Sequence, residues 1–253
     1  MDPTVIKKIL QFKNNQILWV EDIVAKETKI KIFINDEEII SLSATPLHIK
    51  ELVTGFFLTE NIIKGNWCPQ EMEIIEDKEE IKVKVYSDGS LDLTGKIIPS
   101  GCMASYSFLR NIPQKYEDNF KIDIENLFNL FKEFQKNSEL YKTTGCIHYC
   151  ALADNKEIFF LAEDIGRHNA VDKVIGYAFL NKIPLENKII LTSGRISFEM
   201  VLKVGNFKVP IIVSRAAPTS LAIELAEKIG LTVIGFLRGN RFNIYTYPYR
   251  VMI

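Results

Sequence analysis

Hydrophobic and polar positions along the 253-residue chain change rhythm about halfway. The first half reads as β-rich. Residues 29–34 alternate polar and apolar, Asn35-Asp36 makes a turn, and 38–42 returns as a second strand. Thr45-Pro46 predicts a helix start with proline in the first turn. Leu47, Leu52, Val53, Phe56 and Phe57 supply its apolar face up to Glu60. Strands are predicted at 72–75 and 81–86, with the Lys/Glu run of 77–84 as a solvated face. Residues 94–116 have no clear period and contain Gly95, Pro99, Gly101 and Pro113, so a loop carrying Cys102 and a domain boundary fall there.

The second half alternates strands and helices. An amphipathic helix over 122–134 is followed by a hairpin, 147–153 and 157–161, around Asp154-Asn155-Lys156. Ala170, Val171, Val174, Ile175 and Ala178 have helical i, i+3, i+4 spacing. Strands at 188–191, 210–213 and 231–236 alternate with helices at 196–204 and 218–229, the last stopped by Gly230, and 242–247 closes the chain as a strand. This order predicts an α/β sheet, largely parallel, with helices on both faces.

Composition adds exclusions. The 47% hydrophobic content is enough for a core, and a net charge of −1 gives no general attraction to nucleic acid or to a membrane surface. Residues 1–10 carry Lys7 and Lys8 without a long apolar run, so neither a signal peptide nor a membrane span is expected. Cys68, Cys102, Cys146 and Cys150 lack disulfide-framework spacing, which suits a reducing cytoplasm.

Candidate chemistry gathers at strand ends. Of the seven arginines, Arg167, Arg195, Arg215, Arg238 and Arg241 follow predicted strands, whereas Arg110 and Arg250 do not. In an open α/β sheet those ends face one crevice, and the planar guanidinium suits phosphates and carboxylates. Ser193-Gly194, Ala216-Ala217 and Gly239-Asn240 leave room for a bulky ligand near the backbone. A polyanionic ligand is the expectation, against scattered surface arginines as the alternative.

In 163–169 (Glu-Asp-Ile-Gly-Arg-His-Asn), a Gly turn opens a helix, an arrangement that holds anions through free N–H groups. The structural alternative has Asp164 capping the helix and pairing with Arg167, with His168 satisfied in the core. Cys102 in its Gly-containing loop reads either as a nucleophile or sulfur carrier, or as a small buried hydrophobe. Cys68 reads as inert. Cys146, His148 and Cys150 at i, i+2, i+4 share one strand face, so a metal site with Cys102 is conceivable, although the spacing is not a standard zinc pattern. Thr143-Thr144-Gly145 is read as a turn that positions His148 near the crevice.

Several stretches together resemble the formate dehydrogenase accessory sulfurtransferase (FdhD) family. They are 163–173, Ser193-Gly194-Arg195 with 196–201, 217–222, 235–243 and 58–63. The resemblance covers nearly the whole chain. It implies a cytidine-deaminase-like three-layer α/β domain at 113–253, and a smaller β-rich domain at 1–112 that ends in the active-site cysteine loop. It also implies a sulfurtransferase in which Cys102 takes sulfur as a persulfide from a cysteine desulfurase. The sulfur then passes to the molybdenum cofactor, bis-molybdopterin guanine dinucleotide, before insertion into formate dehydrogenase. Phe236, Leu237, Arg238, Gly239, Asn240 and Arg241 match the family's cofactor-binding segment, with Arg167 and Arg195 in support. His148 or His168 would tune the thiol or deliver a proton. No permanent metal is implied, and a homodimer is.

One difference from the deaminases and two departures from the family pattern qualify the resemblance. The deaminase zinc signature is missing: His168-Asn169-Ala170 stands in place of His-x-Glu, and Ser193-Gly194-Arg195 in place of the cysteine pair. Ser105 replaces the second cysteine of a Cys-x-x-Cys loop, and Cys146 stands in the family's Thr-Gly-Gly-x-His. Cys146 or Cys150 thereby becomes a position to receive or resolve the sulfur. The rival readings are a chaperone that shelters the cofactor without sulfur chemistry, and a zinc deaminase.

Overall fold

The computed structural model describes residues 1–91 and 112–252. The chain opens with an antiparallel hairpin, β1 (Thr4–Lys13) and β2 (Gln16–Ala25), that periodicity did not single out. Its turn is Asn14-Asn15, both at positive φ, the combination a two-residue hairpin turn requires. The next hairpin is the expected one: β3 (Thr28–Ile34) and β4 (Glu37–Ala44) turn at Asn35-Asp36. Then come helix α1 (Ile49–Glu60), the short strand β5 (Ile63–Lys64), strands β6 (Glu73–Glu76) and β7 (Glu80–Val85), and the short β8 (Ser90–Leu91), which pairs with β5. β4-β3-β7-β6 form one sheet, with β3 and β7 parallel. Ile30, Ile32, Ile81 and Val83 from its inner face pack against Leu52, Val53, Phe56 and Phe57 of α1 in one buried cluster.

The helix starts at Ile49, not at Thr45-Pro46, and its N-cap residue His48 is left-handed. The reason is tertiary. Thr45 spends its N–H on Asp164 Oδ2 (3.1 Å), its Oγ1 on the N–H of Ile165 (3.1 Å) and its carbonyl on Lys173 Nζ (3.1 Å). Its carbonyl, which also accepts from the N–H of Leu47 (2.8 Å), is thereby taken from the i+4 bond that a helix starting there would use.

The C-terminal part begins with β9 (Ile122–Asp123), which pairs with the final strand, then α2 (Ile124–Lys136), capped by Asp123, and α3 (Glu139–Thr144). It continues with β10 (His148–Ala153), β11 (Ile158–Asp164), α4 (Arg167–Leu180), β12 (Ile189–Thr192), α5 (Phe198–Gly205), β13 (Ile211–Ser214), α6 (Ser220–Ile229), β14 (Thr232–Arg238), β15 (Arg241–Ile244) and β16 (Val251–Met252). The six-stranded sheet runs β11-β10-β12-β13-β14-β15. Among the described strands of this sheet only β12, β13 and β14 are parallel, so it is mixed rather than largely parallel. Parallel neighbours need a crossover, and here only α5 and α6 supply one; both flanks of the sheet are hairpins.

Helices cover both faces, as the alternation predicts. Ile190, Ile212 and Val233 face α4, α5 and α6, while their neighbours Leu191, Val213 and Ile234 face α2. Leu127, Leu130, Phe131 and Phe134 of α2 are buried there, each contributing roughly 1.5–3 kcal/mol. Arg250, outside the arginine group at the strand ends, is buried in a two-pronged pair with Asp118 (2.7 and 3.0 Å) and donates to Thr232 Oγ1.

α1 of the N-terminal part lies directly on α4. A Cβ at Gly55 would stand 1.7 Å from the Asp172 carbonyl oxygen, and one at Gly176 would stand 1.9 Å from that of Glu51. The backbones touch where both side chains are absent. The boundary expected near residue 112 adjoins residues 92–111, which lie outside the described residues.

Candidate functional site

Strand direction decides which residues meet. β12, β13 and β14 end at the same edge of the sheet as the start of β10 and the end of β11. That edge therefore collects His148, Arg167, Ser193-Gly194-Arg195, Arg215-Ala216 and the Arg238–Arg241 turn, at the usual ligand position of such sheets. A cleft of about 500 Å³ opens there. It is lined by Tyr141, Gly145, Cys146, Ile147, His148, Tyr149, Ser193, Arg215, Ala216 and Arg238.

Local bonding fixes the walls. Ser193 Oγ accepts from the N–H of Tyr149 (3.0 Å) and lies 3.4 Å from His148 Nδ1. Ser214 Oγ donates to the Gly194 carbonyl (2.6 Å) and accepts from the N–H of Ala216 (2.9 Å), so it ties two strand-end turns together. Gly194 is placed tightly: a Cβ would lie 3.0 Å from Arg167 Cβ and 3.5 Å from His148 Nδ1. Arg167 and His148 thus meet beneath that turn. Glu163 Oε1 accepts from the Tyr141 N–H (3.1 Å) and from Ser138 Oγ (2.5 Å), which holds α3 in place. Thr143-Thr144 end α3 rather than forming a free turn, and the left-handed Gly145 then carries the chain to Cys146.

The predicted ligand segment divides in two. Arg238 is exposed, its Nε donates to the Arg215 carbonyl (3.1 Å), and its guanidinium lies 5.9 Å from the Phe236 ring. Phe236 is half-buried at positive φ, and its N–H donates to the Ala216 carbonyl (3.1 Å). Gly239 and Asn240 form the exposed turn that sets Arg241 opposite Arg238. Leu237 points the other way, into the core shared with α2, so its side chain is packing and only its backbone faces the turn. Arg195 is exposed on the same edge. Cys102 lies outside the described residues.

The histidines do not supply positive charge. Burial, reinforced by Arg167 and Arg195 and opposed by Asp164, lowers the His148 pKa, so its imidazole stays neutral near pH 7. Burial takes His168 down to about 3, with Lys203, Arg167 and His148 adding to the effect, and its buried Nε2 has no hydrogen-bond partner among the described residues. Neither ring is the cation that would lower a thiol's pKa. Arginine carries that charge at this edge, and His148 is left as a neutral proton acceptor.

Beside the helix N-terminus expected to hold a ligand anion lies a carboxylate of the chain's own, bonded to the N–H of the capping residue Gly166 and not to those of the first turn. Asp164 Oδ1 accepts from the Gly166 N–H (2.8 Å) and from Asn169 Nδ2 (2.9 Å). Its ion-pair partner is Lys173 (2.6 Å), both side chains being fully buried. Asn169 also donates to the Ser43 carbonyl (2.9 Å), joining the two parts of the chain.

One turn on, Asp172 and Glu60 share Lys203 at 2.8 Å each, and Thr59 Oγ1 donates to Asp172 Oδ1 (2.7 Å). Burial raises Asp172 to about 6 against the pull of Lys203. Periodicity did not find this seam. A clue was available: Lys173 and Lys203 fall on helix faces that the apolar pattern assigns to the core.

Of the remaining thiols, Cys150 is buried against α4, where desolvation pushes its pKa well up, and it is inert packing. Cys146 is exposed at the cleft wall. Among the described residues, no group of three His, Cys, Asp or Glu side chains is placed to hold a metal ion. None of the described helices is long and apolar enough to cross a membrane.

A family model described as the FdhD/NarQ family matches residues 25–252. The chain is 36% identical over 260 residues to a protein of Bacillus pumilus called sulfur carrier protein FdhD, covering 99% of each. It is 34% identical to the Bacillus subtilis protein of the same name, covering 98% of this chain and 97% of that one. A crystal structure described as that of a candidate formate dehydrogenase accessory protein from Desulfotalea psychrophila superposes with a TM-score of 0.80 at 29% identity, over 99% of this chain and all of that one.

Proposed function

The chain belongs to the FdhD/NarQ family, and from that premise we propose that it is a sulfur carrier required for formate dehydrogenase activity. Cys102 is the sulfur-bearing residue. Its thiolate attacks the terminal sulfur of a cysteine desulfurase persulfide. A new S–S bond forms on Cys102 as the old one breaks, and the desulfurase cysteine leaves as a thiolate. The acceptor of the sulfur is the molybdenum cofactor in its bis-molybdopterin guanine dinucleotide form, bound before it enters formate dehydrogenase.

The observation that carries this reading is the arginine-edged cleft at the strand ends. Arg215 and Arg238 line it, Arg167 lies beneath its Gly194 turn, and Arg195 and Arg241 stand on the same edge. Planar cations in a cluster suit a ligand with two pyrophosphates. Phe236 and the exposed turn from Arg238 to Arg241 offer a ring and backbone groups to the nucleotide parts. Neutral His148 is suited to accept the thiol proton. The three-layer C-terminal part supports a cytidine-deaminase-like domain without its zinc chemistry, and a cytoplasmic homodimer completes the reading.

Intact mass tests it, after incubation with a cysteine desulfurase and cysteine. A gain of about 32 Da, one sulfur atom, is expected on the wild type and not on Cys102→Ala. The same gain on both proteins would move the chemistry to another thiol, with exposed Cys146 first in line. No gain on either would favour a cofactor-sheltering chaperone.

A further inference from the structure

The β1–β2 hairpin leaves its apolar side chains in water. Eight of the nineteen exposed large hydrophobic residues among those described lie in its two strands. Phe12 is 69% exposed, Ile6 66% and Trp19 65%. Its main contact with the rest of the described chain is a small one, between β2 and α3. An isolated two-stranded ribbon is marginal in water, and a contiguous apolar patch of this kind marks an interaction surface.

The cross-strand register sorts the hairpin into two unlike faces. One carries the pairs Ile6/Ile23, Leu10/Trp19 and Phe12/Ile17, with Lys8/Glu21 at its centre. The other carries Val5/Val24, Ile9/Val20 and Gln11/Leu18, with Lys7/Asp22, and of its apolar side chains only Leu18 and Val24 are exposed. The first face is the more apolar, and its six apolar side chains are all exposed.

We infer that this first face is where two copies of the chain associate, stacking face to face about a twofold axis that runs along the hairpin between its strands. Such an axis sets every residue over the position of its own cross-strand neighbour in the other copy. Leu10 then meets Trp19 of the partner subunit, Phe12 meets Ile17 of the partner subunit, and Lys8 meets Glu21 of the partner subunit. The face has one central cation and one central anion on opposite strands, so this operation pairs both charges and leaves none against its like. That self-complementarity selects a second copy over an unrelated partner. The inference rests on the homodimer part of the proposed function and is independent of the sulfur chemistry.

Light scattering after size-exclusion chromatography tests it. The wild type is expected at twice the 29.0 kDa of one chain. Leu10→Glu and Lys8→Glu are each expected at the mass of one chain, because the first charges the apolar face and the second opposes two glutamates twice over. Lys8→Glu combined with Glu21→Lys is expected to restore the double mass. Lys7→Asp sets the same cross-strand repulsion on the opposite face and is expected to keep the double mass, which separates lost association from a lost hairpin. A wild type at single-chain mass would sink the homodimer reading itself. A double mass that survives both Leu10→Glu and Lys8→Glu would keep the homodimer and remove the hairpin from it. Failure of the double charge swap to restore association, or a single-chain mass for Lys7→Asp, would overturn the assignment to this face.

Discussion

The seam between α1 and α4 and the cleft at the edge of the C-terminal sheet draw charges from the same stretch of chain, yet they use different cations. In the seam Lys173 and Lys203 are almost wholly buried, and each is surrounded by oxygens of the protein. At the cleft edge, Arg195, Arg238 and Arg241 are exposed. An ammonium is a compact point charge that a small ring of oxygens can satisfy, whereas a guanidinium presents a planar fork that reaches a ligand's paired oxygens. Between the two regions, Glu163 and Asp164 are adjacent: one fixes the wall of the cleft through α3, the other holds the seam. The motif therefore couples the joining of the two parts of the chain to the shape of the arginine-edged cleft.

The comparison breaks most visibly at Lys203. Lys203→Met leaves Asp172 and Glu60 buried without their shared cation, and a loss of about 3–5 kcal/mol is expected in urea unfolding. Arg195→Ala, by contrast, is expected to change stability by less than about 0.5 kcal/mol, because that side chain is exposed.

Gly176→Val is the next largest. It drives a side chain into the Glu51 carbonyl, and a loss of at least about 1–3 kcal/mol is expected, read as a lower thermal midpoint.

For the cleft, Arg238→Ala is expected to weaken binding of guanosine diphosphate about tenfold or more while leaving the thermal midpoint unchanged. Isothermal titration would show the loss. Unchanged affinity would place the nucleotide elsewhere.

The last effect concerns pH and is spread over several units. His168 stays neutral down to about pH 3 in the folded chain, while an unfolded histidine takes up its proton near 6.5. The unfolded state therefore binds more protons between those values, so stability is lost as pH falls from about 6.5 toward 3. His168→Gln is expected to flatten that slope in denaturant titrations at pH 7 and pH 4.5.

Much of the C-terminal sheet was legible because its core alternates cleanly. Ile190/Leu191, Ile212/Val213 and Val233/Ile234 each send one side chain to either face, and the strand-end arginines could be counted from there. Leu237 shows the limit of reading a segment as a unit, since one residue of the proposed ligand turn belongs to the core. The first hairpin escaped notice because both of its faces carry apolar residues, so polar and apolar positions do not alternate along it; its Asn14-Asn15 turn was the better signal.

Sequence by itself determined the family, the alternating order of strands and helices, and the arginine edge, because periodicity and strand-end position are local properties that survive without coordinates. Only tertiary structure decided that Asp164 pairs with Lys173 beside the start of α4, that Lys203 lies buried between Asp172 and Glu60, and that His148 and His168 are neutral. Those outcomes depend on desolvation and on partners more than a hundred residues away, such as Thr45 for Asp164 and Thr59 for Asp172.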